Sequence, residues 1–269
     1  MHEDAVLLME WCTTVQIQVP APLDPHTPHQ ETKAMSDSSL QTELQKMATE
    51  HGVDLFGVAD LGSAQDFICR QGGQQLRKFS RAISIGIRLL DAIVDELHRH
   101  EDRPTLLAYK GLYNSVNSQL DHIALLLAKR LQEEGYRSYP IPASPPYDPE
   151  NLIGVMSHKL AASLAGLGWI GRSCLLITPS CGPRVRLSTI LTDAPLKAGS
   201  LLDRDCDDCR ACLDICPVKA FTGVPFDPSE PVEARFNAHS CHDYMNERKE
   251  KLGEDLCGLC VYACPHGRH

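Results

Sequence analysis

Apolar and polar positions follow two clear periods from Leu40 onward. LQTELQKMATEHG reads as a helix that stops at Gly52. DLFGVA (54–59) reads as a short strand and SAQDFICRQ as a helix. AISIGIR (82–88) alternates with the period of a strand, and DAIVDELHRH (91–100) returns to helical spacing. The strongest helix begins near Leu106. Tyr113, Val116, Leu120, Ile123, Leu127 and Leu131 step by three or four positions and so share one face. Gly135 is placed to end it as the left-handed residue past a C-terminus. IPASPPYDPEN (141–151) reads as a proline-rich loop, and Ser157 is placed to cap a helix, HKLAASLAG. CLLIT (174–178) and VRLSTILT (185–192) read as strands joined by the turn sequence PSCGPR. Strands interleaved with helices of this length predict an α/β layered domain over residues 39–200.

The two ends of the chain differ from this middle. Residues 1–38 include PAPLDPHTPHQETKAMSDSS, rich in Pro, Ser, His and charge, without periodicity, and read as a disordered leader. Met35 precedes a serine-capped helix and is a candidate translation start alongside Met1. Residues 201–269 hold no long periodic segment and read as a separate module, so the chain as a whole is expected to be α+β.

The last module holds the chemistry. Of the 12 cysteines, Cys206, Cys209, Cys212, Cys216, Cys241, Cys257, Cys260 and Cys264 fall here, while Cys12, Cys69, Cys174 and Cys181 are scattered. A disulfide scaffold is short and secreted; this chain has 269 residues and no signal-peptide pattern. Clustered thiols in such a chain point to metal and to the cytoplasm. No run of 18 apolar residues is present, so no membrane helix is expected.

Cys206 to Pro217 reads C-x2-C-x2-C-x3-C-P, the bacterial ferredoxin run for a 4Fe–4S cluster. In two-cluster ferredoxins the fourth cysteine of that run serves the other cluster. Cys257-Gly-Leu-Cys260-Val-Tyr-Ala-Cys264-Pro265 is a second run short of one thiol, which Cys241 upstream supplies. The count closes as two crossed sets, Cys206, Cys209, Cys212 and Cys264 against Cys216, Cys241, Cys257 and Cys260. Zinc also uses CxxC pairs, and it remains the alternative, although zinc requires neither the x2, x2 triplet nor the paired Cys-Pro endings. Cys69 and Cys174 read as core thiols, Cys181 sits in a turn where exposure is open, and Cys12 lies in the leader.

Gly166-Leu-Gly168-Trp169-Ile-Gly171 fits GxGxxG, but a helix precedes it and a strand follows. A dinucleotide site needs strand, glycines, then helix, so the match is read as a close-packed turn. Its glycines still allow backbone to approach a bulky planar ligand.

AGLGWIGRSCLLITP (165–179), VRLSTILTDAPL (185–196), Cys241 followed by HDY, and the closing CGLCVYACP together resemble the epoxyqueuosine reductase family of iron–sulfur proteins. The resemblance covers roughly residues 40–269. It implies a cobalamin-binding-like N-terminal domain, a ferredoxin-like module with two 4Fe–4S clusters, and electron flow to cobalt for reduction of an epoxide on a tRNA base. Gly168, Trp169 and Gly171 are then candidate cofactor-wall residues, and His158 and Tyr113 candidate proton donors. The family's acid–base Asp falls in a GRDYH-like segment; Lys110-Gly-Leu-Tyr-Asn-Ser115 stands there with neither Asp nor His. The family's longer members continue into a helical-repeat tRNA-binding domain, whereas this sequence stops at His269.

Charge changes the substrate picture. The chain carries 26 Lys+Arg against 35 Asp+Glu, a formal −9. Eight thiolates and two cores of about +2 each bring the loaded protein to roughly −13, which disfavours tRNA. The expected function is therefore an iron–sulfur oxidoreductase that passes electrons to a corrinoid or a substrate in the N-terminal domain. The alternative is an electron-transfer or corrinoid-activating protein without its own small-molecule substrate. A reduced ferredoxin or flavodoxin is the expected donor, and a corrinoid protein a further expected partner.

Overall fold

Alternation in Arg81–Arg88 (β2) sorts its side chains by size as well as by face. Ile83, Ile85 and Ile87 point to one side and join Leu40, Leu44, Leu120, Leu127 and Ile190 in the main core. Ala82, Ser84 and Gly86 point to the other, where small residues admit a helix at close range. The computed structural model describes residues 37–144, 148, 150, 152–227, 230 and 232–268. The expected leader up to Ser36, with Cys12 and Met35, lies outside the described residues. The described chain falls within one compact unit, Met35–His269.

β2 is an inner strand of a four-stranded sheet. Leu55–Asp60 (β1), β2, Val185–Thr192 (β6) and Ser138–Ile141 (β3) lie in the order β1-β2-β6-β3. All three pairings are antiparallel. The interleaved pattern of an α/β layer does not become a parallel sheet here, and the class is mixed α+β. The helix between β1 and β2, Gln65–Gly72 (α2), has 8 residues, about 12 Å of rise. It is shorter than β1 itself, roughly 20 Å, and the chain turns back instead of crossing over. β3 is an edge strand, which tolerates Pro140. That proline hid the strand from a reading by pattern.

Helices cover both faces. Asp37–Glu50 (α1) and the 31-residue Arg103–Glu133 (α4) pack on the isoleucine face. α4 begins three residues earlier than expected because Pro104 fits the first turn of a helix. It ends as expected, with Gly135 at φ +86°. His158–Leu164 (α5) crosses the small-residue face, with Ser157 Oγ accepting from Leu160 N at 3.3 Å as its cap. A Cβ on Gly57 of β1 would lie 2.9 Å from Leu167 Cδ2 and 3.1 Å from Ala165 Cβ, so glycine sets that close approach. Asp91–Asp95 (α3) leads into α4.

The cysteine-rich segment adds Ala211–Ile215 (α6), Ala238–Leu252 (α7) and Leu259–Ala263 (α8). α7 is a 15-residue helix that the sequence pattern concealed. It is polar nearly all round, and Arg248 is its buried residue, so no apolar stripe marks it. Asn237 caps it by accepting from Ser240 N at 2.9 Å. Trp169–Ile170 (β4) and Leu176–Ile177 (β5) form a separate two-stranded ribbon after α5. The next helix after these glycines begins at Ala211, so the GxGxxG match has no helix N-terminus for a phosphate.

Candidate functional site

α6 and α8 are copies of one device. Each has five residues with a cysteine second, and each ends on a Cys-Pro step. Cys216 leaves α6 at φ −66°, ψ 117°, and Cys264 leaves α8 at φ −66°, ψ 122°. The extended backbone before each proline carries the last thiol away from its own helix. The two short helices pack on each other, so each departing thiol meets the neighbour's set.

Cys206, Cys209, Cys212 and Cys264 line one pocket with Arg172, Ser173, Ile177 and His266. The Cys209 amide donates to the Cys206 carbonyl at 3.0 Å, which closes the first turn of the loop. Burial, then the neighbouring Cys206, Cys264 and Cys209, push the Cys212 thiol up to about 11. Burial also raises Cys264, with Cys206 and Cys209 acting in the same sense.

The remaining four thiols form the second group. Burial, then Cys257 and Cys216, push Cys241 up to about 11. Burial raises Cys260 strongly, with Cys257, Cys241, Cys212 and Cys216 adding to it. The effect of Cys212 on Cys260 makes the two groups neighbours. Cys241 sits in the first turn of α7, within electrostatic reach of Cys257 and Cys216. Among the described residues, no three His, Cys, Asp or Glu side chains converge as a single metal ion requires. A cubane takes one thiolate at each iron corner, and so suits thiols that stand apart better than zinc does, with its sulfurs about 2.3 Å from one point.

The second thiol group borders the helical layer. Gly258, at φ +80°, lies under Tyr109 of α4: a Cβ there would meet Tyr109 Cε1 at 2.8 Å. Tyr109 is buried, and burial raises its phenol well above the usual range, with Cys260 and Cys257 contributing. Beyond Tyr109 lies a polar network. Arg186 of β6 donates from Nη2 to Tyr113 OH at 3.0 Å and from Nε to Asn117 Oδ1 at 2.9 Å. Its guanidinium also stacks 4.1 Å from the Tyr113 ring centre. Tyr113 OH and Ser144 Oγ share a hydrogen bond of 2.8 Å.

His158 is tied down on both sides. Nε2 lies 3.0 Å from the Pro142 carbonyl, so it carries the proton and donates. Nδ1, 2.8 Å from Thr189 Oγ1, then accepts from that hydroxyl in the neutral ring. Burial is the main reason that its pKa falls to about 4; Arg186 lowers it further, and Pro142 and Asp121 act the other way. Lys159, the next residue along the helix, is engaged elsewhere. Its ammonium donates to the Cys174 carbonyl at 2.6 Å, and burial lowers its pKa, with Cys174 and Cys260 opposing. Neither Lys159 nor Arg186 forms an ion pair with a carboxylate among the described residues.

Tyr109 and Arg186 were not singled out by sequence reasoning. Tyr109 is one helical turn before Tyr113, and that spacing was the available signal. Of the scattered thiols, Cys69 and Cys174 are buried as expected. Cys174 stands at φ +54°, ahead of the two-residue β5 and not in a longer strand. Cys181 is buried too, 3.0 Å from Thr178 Oγ1, so its turn faces inward.

Trp169 and Gly171 lie against the first thiol group, whereas Gly168 packs on Ile177 and Leu176 of the ribbon. A Cβ on Gly171 would lie 2.6 Å from Ile177 Cγ1 and 3.1 Å from Cys206 Sγ. A Cβ on Gly168 would lie 2.4 Å from the Ile177 carbonyl oxygen. Trp169 packs with Ile177 and Cys264, and its buried Nε1 has no hydrogen-bond partner among the described residues. A cradle that a methyl group would fill, an unpaired buried N–H and four facing thiols fit an iron–sulfur cluster.

Residues 205–267 match the family model for a 4Fe–4S double cluster binding domain. An epoxyqueuosine reductase from Bacillus anthracis is 28% identical over 149 residues, 54% of this chain and 38% of that protein. The chain is a distant relative of the epoxyqueuosine reductases with a 4Fe–4S double cluster binding domain. The matched stretch spans about two-fifths of that curated relative. The chain shares its fold with a solved epoxyqueuosine reductase bound to an epoxyqueuosine-modified tRNA stem loop. The TM-score is 0.57 at 19% identity, over 86% of this chain and 66% of that one. It also shares the fold with a reductive dehalogenase whose structure suggested a mechanism for B12-dependent dehalogenation. There the TM-score is 0.59 at 18% identity, over 84% of this chain and 31% of that one. Among the described residues, no helix is long and apolar enough to cross a membrane.

Proposed function

We propose that this protein is an iron–sulfur oxidoreductase that relays electrons through its two clusters to an acceptor at the α4–α5–β6 wall. Cys206, Cys209, Cys212 and Cys264 hold the first cluster; Cys216, Cys241, Cys257 and Cys260 hold the second. The clusters, when bound, supply one-electron transfer. The observation that carries the reading is Tyr109, buried under Gly258 and within electrostatic reach of both Cys260 and Cys257 and of Arg186 and Tyr113. The second cluster thereby adjoins a wall that offers both cations and a hydroxyl proton.

Each residue of that wall then has a task. Lys159 and Arg186, without carboxylate partners, offset the negative charge of the second cluster and of a reduced acceptor. Tyr113 OH, held by Arg186 and Ser144, is the proton donor. His158 has both nitrogens engaged and acts as a positioning residue that ties α5 to β6. The first cluster is the entry side, in a loop with exposed Asp205, Asp207 and Asp208. A reduced carrier of the ferredoxin or flavodoxin type is the donor class.

A corrinoid is the acceptor that the shared fold favours. The groups around Tyr113 are bonded to one another, and that network suits a smaller acceptor equally, so no step is routed through cobalt. Anaerobic titration with cobalamin tests the corrinoid: a changed cob(II)alamin EPR spectrum at micromolar concentration supports it. No binding leaves electron transfer to a partner protein, which the absence of Asp and His from Lys110–Ser115 favours. Turnover of epoxyqueuosine-containing tRNA is expected to be weak or absent on the same ground and on the net charge of −9.

A further inference from the structure

We propose that the indole N–H of Trp169 donates a hydrogen bond to a sulfur of the first cluster and raises that cluster's potential. This rests on the reading that Cys206, Cys209, Cys212 and Cys264 hold a cluster. Trp169 is 5% exposed and shares one apolar group with Ile177 and Cys264, with Leu175 and Cys206 packed against it. Its Nε1 is buried and meets no acceptor among the described residues, thiols included. An indole N–H is a donor only, and leaving one buried and unpaired is costly enough to be rare. The thiols beside it do not accept it, so the partner is a sulfur of the cluster that those thiols carry.

The surroundings hold the ring in place. Trp169 pairs with Ile177 across the β4–β5 ribbon, which fixes its backbone. The His266 ring meets the indole edge-on, at 5.2 Å and 90°. The Arg204 guanidinium lies 6.0 Å from the ring centre. Gly171, two residues on, provides the clearance for Cys206 Sγ. One short turn therefore supplies both the space for the cluster and a donor toward it. Hydrogen bonds to cluster sulfurs stabilise the more negative, reduced state. The effect belongs to the first cluster, because Trp169 packs with Cys206 and Cys264 and with none of the second set.

The test uses the cluster-loaded full chain labelled with indole-¹⁵N tryptophan. The chain has 2 tryptophans, so Trp11→Phe leaves the label at Trp169. Pulsed EPR of the reduced protein is expected to show ¹⁵N coupling to one cluster. Trp169→Phe is expected to make reduction of one cluster about tenfold less favourable, ~59 mV for one electron, with the other cluster unmoved. A spectrum without ¹⁵N coupling overturns the inference, even if Trp169→Phe fails to assemble. Unchanged potentials in an iron-replete Trp169→Phe protein overturn it as well. Absence of iron from the wild-type protein would instead overturn the cluster reading beneath it, and iron analysis separates the two failures.

Discussion

Gly171 and Cys206 are in contact across the turn that follows α5: a Cβ on the glycine would lie 3.1 Å from the cysteine sulfur. The same Cβ would press on Ile177 Cγ1 at 2.6 Å, a buried side chain with no room to yield. Gly171→Ala is expected to displace Cys206 and to lower iron from about eight to about four per chain. Iron and sulfide analysis of anaerobically purified protein checks this. Full iron content in a folded Gly171→Ala protein would show that the turn does not support the first cluster.

Arg184 joins the cluster side to the sheet. Its side chain is 1% exposed and donates to Asp91 Oδ1 at 2.9 Å and to Asp95 Oδ1 at 2.6 Å, both on α3. Its stem packs against Gly267, close behind Cys264. Arg184→Ala is expected to cost about 3 kcal/mol, at the low end for a broken buried pair because both carboxylates keep contact with water. Arg184→Lys should recover little of this, since one ammonium does not span two carboxylates as a fork does. Urea unfolding of the loaded protein measures both. A loss below roughly 0.5 kcal/mol for the alanine variant would be a surface-type effect and would contradict the structural role.

His158 gives stability a pH dependence whose sign is fixed. Its folded pKa of about 4 lies below its ordinary value of 6.5. Between those values the unfolded chain takes up a proton that the folded chain refuses. The contribution is intact above pH 6.5, falls as pH drops toward 4, and amounts to at most about 3 kcal/mol. Arg186 and Asp121 act on the ring with opposite signs, Arg186 lowering its pKa and Asp121 raising it. His158→Gln is expected to flatten the unfolding midpoint between pH 7 and pH 5 relative to the wild type. An equal pH slope in both proteins would place the titration elsewhere.

The eight-thiol framework was legible because cubane ligation forces thiols into short runs, and a run short of one ligand exposes the need for Cys241. The glycines at 168 and 171 were legible as a place where backbone approaches something bulky. That the neighbour was Cys206 was not, because 35 positions separate it from Gly171 and no periodicity links them. β3 was hidden by Pro140 and α7 by its polarity, each a case of tertiary context overriding local preference. Antiparallel strand order was likewise invisible to a pattern that records elements and not the direction in which each enters the sheet.

Two double variants test the crossed thiol sets most directly. Cys206→Ser with Cys264→Ser removes two ligands of one cluster, and Cys206→Ser with Cys216→Ser removes one ligand from each. Iron content and low-temperature EPR of the reduced proteins read the outcome. The crossed arrangement predicts about four irons and one intact cluster signal in the first, and loss of both clusters in the second. The reverse result, four irons kept in the second and none in the first, would mean that Cys206, Cys209, Cys212 and Cys216 share a cluster and would contradict the account.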